Sequence, residues 1–300
     1  MRRLLAALLI AVATPAAAAP VDEMVEIEAG KPVAIRSDRA YILFRTIRPE
    51  GVLSVEPVFL RIPSQAEMAR YAEARRRAWL EAEPGLLRKR ESVLRRIRQA
   101  EAEGRDYRGD PPPPVPSFET FNFVYGEVAN VRRVESDKPF VAGRPESVYL
   151  VETLPGDFVL YGASYGSAAL KPSLFACMCL GTVGFAAAAG VVTDLGYFMG
   201  DRVDKVSKIP ELAAESGFGP GAVAIHAPLG ATVRPVRPDT PVPAGLGGAI
   251  VRPADYRAIG RFVEPRAITV NRLAPVPGIL AYEGRRVIDV KTGGDAPSPR

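Results

Sequence analysis

Proline and glycine cut the apolar runs of this chain into short pieces: 29 of its 300 residues are proline and 27 are glycine. Proline fixes φ and offers no backbone N–H, while glycine opens turn conformations that other residues avoid, so such a chain sustains few long helices. Short strands joined by turns satisfy that constraint best. Apolar runs alternate with turn residues at 24–27, 33–35, 40–47, 52–55 and 58–62, which predicts strands following one another as a meander. The expected fold class is mainly β, a β-sandwich-like domain with an inserted α-helical hairpin.

The insertion shows as a change of period. After Pro63, Ser64-Gln65-Ala66-Glu67 has capping-box spacing, in which the serine and glutamate side chains satisfy exposed N–H groups at a helix start. A helix is predicted from Gln65, with Met68, Tyr71, Ala72, Ala78, Trp79 and Ala82 on a broad apolar stripe interrupted by Arg75. Glu83-Pro84-Gly85 predicts a break and a second helix with proline at its first position. That helix sets Leu87, Arg90, Leu94 and Ile97 on one side and ends near Gly104. Pro111-Pro112-Pro113-Pro114-Val115-Pro116 predicts a stiff extended spacer back to the β part.

Strands resume at 121–125, 148–153, 158–161, 181–185, 191–198, 222–225, 267–273, 279–282 and 287–290. Leu154-Pro155-Gly156-Asp157 and Glu283-Gly284 are the turns between two of these pairs. The domain plan is a signal peptide at 1–18, β strands of the main domain at 19–63, the helical hairpin at 64–104, a Pro-rich linker at 105–117, the β-sandwich-like main domain at 118–290 and a polar, disordered tail at 291–300.

Leu154-Pro155-Gly156-Asp157-Phe158-Val159-Leu160-Tyr161-Gly162 and Gly190-Val191-Val192-Thr193-Asp194-Leu195-Gly196 resemble paired strands in β-sandwich domains of uncharacterised bacterial envelope proteins. The resemblance covers about residues 147–200 and leaves the arginine-rich insertion outside. It implies a sandwich of carrier or binding type and carries over no catalytic residue.

Export is predicted from the other end of the chain. Met1-Arg2-Arg3, the uncharged run 4–12 and the small residues that follow give the n-region, h-region and cleavage order of a secretory signal peptide. Ala16 and Ala18 place the cut after Ala18, and nine apolar residues fall well short of the roughly 20 that a membrane anchor needs. No cysteine lies near the cut to carry a lipid. The expected location is periplasmic or secreted. The formal charge of +5 falls to +3 with the leader gone, and residues 65–104 hold ten Arg/Lys against seven Glu. A local surplus of that kind argues against nucleic-acid binding.

Each chemical motif has a plainer alternative. Gly162-Ala163-Ser164-Tyr165-Gly166 has nucleophile-elbow spacing, with Asp194 or Asp201 and then His226 in hydrolase order. No amphipathic helix follows it, so a glycine-rich β turn is expected. Cys177-Met178-Cys179 is too short for a disulfide along a strand and pairs only across a turn; two thiolates with Met178 lack the further ligands of a closed metal site, and buried small hydrophobes are expected, with the redox state left open. Residues 174–192 carry no charge over 19 positions, enough for a tilted membrane helix. Gly181, Gly184 and Gly190 favour buried strands around turns instead.

No Gly-rich phosphate loop, dinucleotide fingerprint or pair of histidines at ligand spacing occurs, so no cofactor and no metal is predicted. A carboxylate pair of the glycosidase kind is left open, since it depends on strand register. The candidate interaction surface is Arg75, Arg76, Arg77, Arg88, Lys89, Arg90, Arg95, Arg96 and Arg98. These could meet an anionic envelope component or an envelope protein; the plainer alternative is a solvated face held by pairs such as Glu91 with Arg95. Taken together, the sequence predicts an exported, non-enzymatic binding or scaffolding protein. The alternatives are a protein tethered through 174–192 and a Ser164 hydrolase.

Overall fold

A computed structural model describes residues 21–22, 24–30, 33–47, 54–125, 128–135, 137–166, 174–202, 229–263 and 270–298. The leader at 1–18, the strand expected at 222–225 and the first three residues of that expected at 267–273 lie outside them; of the latter, residues 270–273 are a single bridge at Val270 followed by coil. Ahead of the helix come β1 (Val21–Asp22), β2 (Met24–Ile27), β3 (Ala40–Ile47) and β4 (Ser54–Arg61). The helix α1 spans Gln65–Ala102 and is followed by β5 (Val128–Ala129), β6 (Val131–Arg133), β7 (Glu146–Thr153) and β8 (Gly156–Gly166). Then come β9 (Leu174–Cys177), β10 (Thr182–Ala187), β11 (Val192–Arg202) and β12 (Leu229–Arg234). Last are β13 (Val251–Pro253), β14 (Arg257–Ile259), β15 (Leu280–Glu283), β16 (Arg286–Asp289) and β17 (Gly294–Asp295).

These strands make the expected mainly-β sandwich. One sheet runs β12-β11-β3-β7-β2, with β13 paired to β11; the other runs β14-β10-β8-β4-β6, with β9 paired to β8. The order is not a meander. β7 lies between β2 and β3, and β4 crosses to the opposite sheet. The two segments that resemble paired envelope-protein strands also part company: β8 and β11 belong to opposite sheets.

Side chains of a strand alternate between its two faces, and β3 shows what each face meets. Ala40, Ile42 and Phe44 join the core between the sheets, whereas Tyr41 and Leu43 join a second cluster with Phe140, Val148, Leu150, Val192 and Leu246. The centre of this sheet is covered on both faces, which explains why Ala40-Tyr41-Ile42-Leu43-Phe44 reads as a continuous apolar run. In the core, Phe44 stacks on its register partner Tyr149 at 5.0 Å, and Phe158 on its partner Phe185 at 5.6 Å. Phe59 of β4 meets Phe44 and Phe185 edge-on, at 6.1 and 6.0 Å, and links the two stacks.

Residues 174–192 form β9, β10 and the first residue of β11, broken by turns at 179–180 and 189–190. Among the described residues no helix is long and apolar enough to cross a membrane. Cys177 and Cys179 are buried, as expected, and are joined in a disulfide with a Cα–Cα distance of 5.2 Å. The strand ends at Cys177 and the chain turns at once, and the turn supplies the side-chain approach that an extended strand denies. The neighbouring backbone is held by Asn271, whose N–H donates to Cys177 O at 2.7 Å while its carbonyl accepts from Leu180 N at 3.0 Å. The polar tail is also ordered as far as residue 298. β17 pairs with β16, Ala296 enters the core and Gly260 N–H donates to Pro297 O at 2.8 Å.

A buried ion pair ties β3 to β11. Arg45 donates to both oxygens of Asp194, at 2.7 and 3.0 Å, and to the carbonyl of Pro241 at 3.2 Å. Asp194 Oδ1 also accepts the Gly196 N–H at 2.9 Å across a bulge where β11 shifts register. Gly196 has φ +78°, and a Cβ there would stand 2.3 Å from Arg234 O. The bulge therefore requires glycine. Arg45→Ala leaves Asp194 buried without its counter-charge and should cost about 3–5 kcal/mol in urea unfolding, while a double replacement by apolar residues should recover most of that loss. The disulfide closes a very short loop, so Cys177→Ala with Cys179→Ala should cost only about 1.5 kcal/mol in the same assay and leave the fold intact.

Candidate interaction surface: the helical arm

The expected hairpin is a single helix of 38 residues. Both ends are built by local signals. Ser64 Oγ accepts the Glu67 N–H at 3.3 Å and Glu67 Oε2 accepts the Ser64 N–H at 2.6 Å, completing the capping box. At the other end Arg105 N–H donates to Ala100 O and Gly104 N–H to Glu101 O, with Gly104 at φ +63°. That arrangement is a Schellman motif. Pro84 lies inside the helix and does not end it. The bond it forfeits is to the carbonyl of Leu80, an exposed residue where water can take the donor's place. At about 1.5 Å per residue the helix is about 57 Å long.

The Pro-rich segment runs back along the helix as a strap. Arg90 Nη1 donates to Pro113 O. Closer to the sandwich, Trp79 packs against Phe118 and Phe121 at 6.3 and 5.4 Å, and Tyr71 against Phe123 and Tyr125 at 5.8 and 5.5 Å. Arg75 Nη2 reaches the carbonyls of Phe118, Glu119 and Phe121 at 2.6–3.2 Å, with its guanidinium 4.4 Å from the Phe118 ring centre. The strand expected at 121–125 is thus a coil devoted to the helix. Helix and strap together form an arm that leaves the sandwich after Arg61 and returns at Asn130. At that point Arg61 N–H donates to Asn130 O at 2.9 Å and Asn130 Nδ2 to Arg61 O at 3.3 Å.

Glu67 holds the foot of the arm. Buried Arg61 donates to it through Nη1 at 3.1 Å and Nη2 at 2.5 Å, in addition to the cap from Ser64. Those donors, the Arg61 guanidinium foremost, pull the Glu67 pKa down to about 2. Beside this pair an open cavity of about 290 Å³ is lined by Pro63, Glu67, Met68, Tyr71, Tyr125 and Asn130. The capping box is legible in the sequence. Nothing there marks Arg61 as its second anchor, because the two meet only when the chain turns at Pro63.

The nine basic positions separate into two groups. Arg75 and Arg90 are half-buried and bind the strap. Arg76, Arg77, Arg88, Lys89, Arg95, Arg96 and Arg98 are exposed. The i,i+4 ion pair on the helix is Glu73 with Arg77 at 4.0 Å; the expected Glu91–Arg95 pair is not formed.

Of the hydrolase candidates, Ser164 and Asp194 lie on different sheets. Ser164 is buried within β8, paired with Glu56 on one side and Phe175 on the other, and the strand continues through Gly166. The glycine-rich β turn expected there is likewise strand. Gly162 is needed because a Cβ would stand 2.4 Å from the Phe175 ring and 2.6 Å from Ala176 O. Asp194 is spent on Arg45, and His226 lies outside the described residues. Among the described residues no group of three or more His, Cys, Asp or Glu could hold a metal ion. No protein-family model, curated protein or solved structure matches this chain.

Glu67→Gln should loosen the arm at its root by about 2 kcal/mol, read as faster hydrogen exchange of first-turn amides. Because its pKa is depressed, the parent carboxylate stabilises the fold in full above about pH 4.5 and loses that contribution as pH falls through about 2. The Gln variant should lack this acid dependence.

Proposed function

We propose that this chain is an exported, periplasmic, non-enzymatic binding or scaffolding protein of the cell envelope, with the helical arm as its contact surface. One observation carries the reading: the arm is braced by its own strap and foot, yet turns seven basic side chains outward. A helix that served only to complete the core would bury most of one face. This one buries only Trp79, Val93 and Ala100 along its length. The leader-like residues 1–18 supply the export signal. A non-catalytic role is favoured by the burial of Ser164 and the commitment of Asp194 to Arg45. The partner is an envelope protein or an anionic envelope component.

The arm is an insertion whose two ends meet at Arg61 and Asn130, so it can be removed without parting the sheets. Replacing residues 64–127 by a short Gly/Ser linker should leave a sandwich with native-like near-ultraviolet circular dichroism. In-cell crosslinking of the tagged protein should then recover partners with the full chain and lose them with the shortened one. Equal crosslinking of a folded, shortened protein would refute the arm as the contact surface.

A further inference from the structure

Charge is divided unevenly along the helix. From Gln65 to Pro84 four arginines face four glutamates; from Gly85 to Ala100 there are six basic residues and one acid, Glu91. Arg90 of the distal six is committed to the strap. The other five, Arg88, Lys89, Arg95, Arg96 and Arg98, are exposed. Residues seven apart on a helix lie nearly in line, so the distal half carries two outward rows, Leu87 with half-buried Leu94 and Arg88 with Arg95, with Glu91 and Arg98 between them, while the exposed Lys89–Arg96 row flanks the buried side. At about 100° per residue, the side directly opposite buried Val93 and Ala100 falls between the leucine row and the Arg88–Arg95 row. Leu87 is 46 % exposed and Leu86 37 %.

We infer that this distal half, residues 85–100, is a docking face for the surface of an anionic phospholipid bilayer, an inference that rests on the arm being the contact surface. Cations alone would suit any polyanion. Exposed Leu87 with half-buried Leu94 beside them suits a bilayer, where the apolar side chains enter the headgroup boundary while the arginine stems extend along it and place guanidinium groups on phosphates. The unbound face also repels itself, since Arg95 and Arg98 stand one turn apart. A negative surface relieves that repulsion. The arm's reach of about 57 Å lets the sandwich stay clear of the membrane.

The test is flotation of the full mature chain with vesicles. Phosphatidylcholine vesicles containing about one third phosphatidylglycerol should carry the protein at least about 100-fold more strongly than phosphatidylcholine alone, with about a fivefold loss per neutralised cation. Replacing Arg88, Lys89, Arg95, Arg96 and Arg98 by Gln should abolish flotation, and Leu87→Gln with Leu94→Gln should weaken it at least tenfold, circular dichroism confirming that the helix persists in both. No flotation of the parent chain, or flotation that ignores the five-site variant, overturns the inference. Flotation indifferent to the leucine variant also overturns it, in favour of a soluble polyanion. The crosslinking comparison reads the arm's role separately, so a failed flotation with arm-dependent crosslinks removes the lipid and keeps the contact surface.

Discussion

The architecture depends on one aromatic junction. Two cross-strand stacks, Phe44 on Tyr149 in one sheet and Phe158 on Phe185 in the other, face each other across the sandwich, and Phe59 stands edge-on between them. Offset and edge-on ring contacts add directional preference to the general gain from burying apolar area, so this junction sets the relative placement of the sheets as well as holding them together. Tyr256 extends it, meeting Phe185 edge-on at 6.1 Å and donating its hydroxyl to Leu195 O at 2.8 Å. That bond lands on the bulge organised by Asp194, so the aromatic core and the Arg45–Asp194 pair brace the same stretch of β11.

The arm is built on a different principle. Its helix closes with local caps, its aromatic side chains Tyr71 and Trp79 are packed by the returning strap, and its link to the sandwich narrows to Arg61, Glu67 and Asn130. A helix this long in water needs tertiary contact on one face, and the strap provides it from within the same insertion. The outer face is then free to carry charge. An arm stiff along its length and anchored at one end holds a distant surface at a defined distance, which is the mechanical basis of the proposed contact role.

Much of the fold was legible from short-range pattern. Strands at 24–27, 40–47, 148–153 and 182–185 follow their apolar runs, and the helix begins at its capping box and ends at a glycine. The errors share one cause. Gly162-Ala163-Ser164-Tyr165-Gly166 looks like a strained turn until Phe175 and Ala176 arrive from β9 and require a flat glycine. Cys177 and Cys179 look unable to pair until the chain bends between them. Pro84 looks like a helix break although the residue whose carbonyl it leaves without a donor, Leu80, is exposed, and the polar tail looks unstructured until β16 and Gly260 supply its hydrogen bonds.

By itself, the order of residues determined which segments extend, where the helix is capped and where positive charge accumulates, because periodicity, capping and charge density act within a few neighbouring positions. Tertiary structure alone decided which sheet each strand joined, that Arg45 would find Asp194 across 149 positions, and that Arg75 and Arg90 would be consumed by the strap while their neighbours stayed exposed. Those outcomes turn on which distant groups share a buried space. That is fixed by packing and desolvation, and no local spacing encodes it.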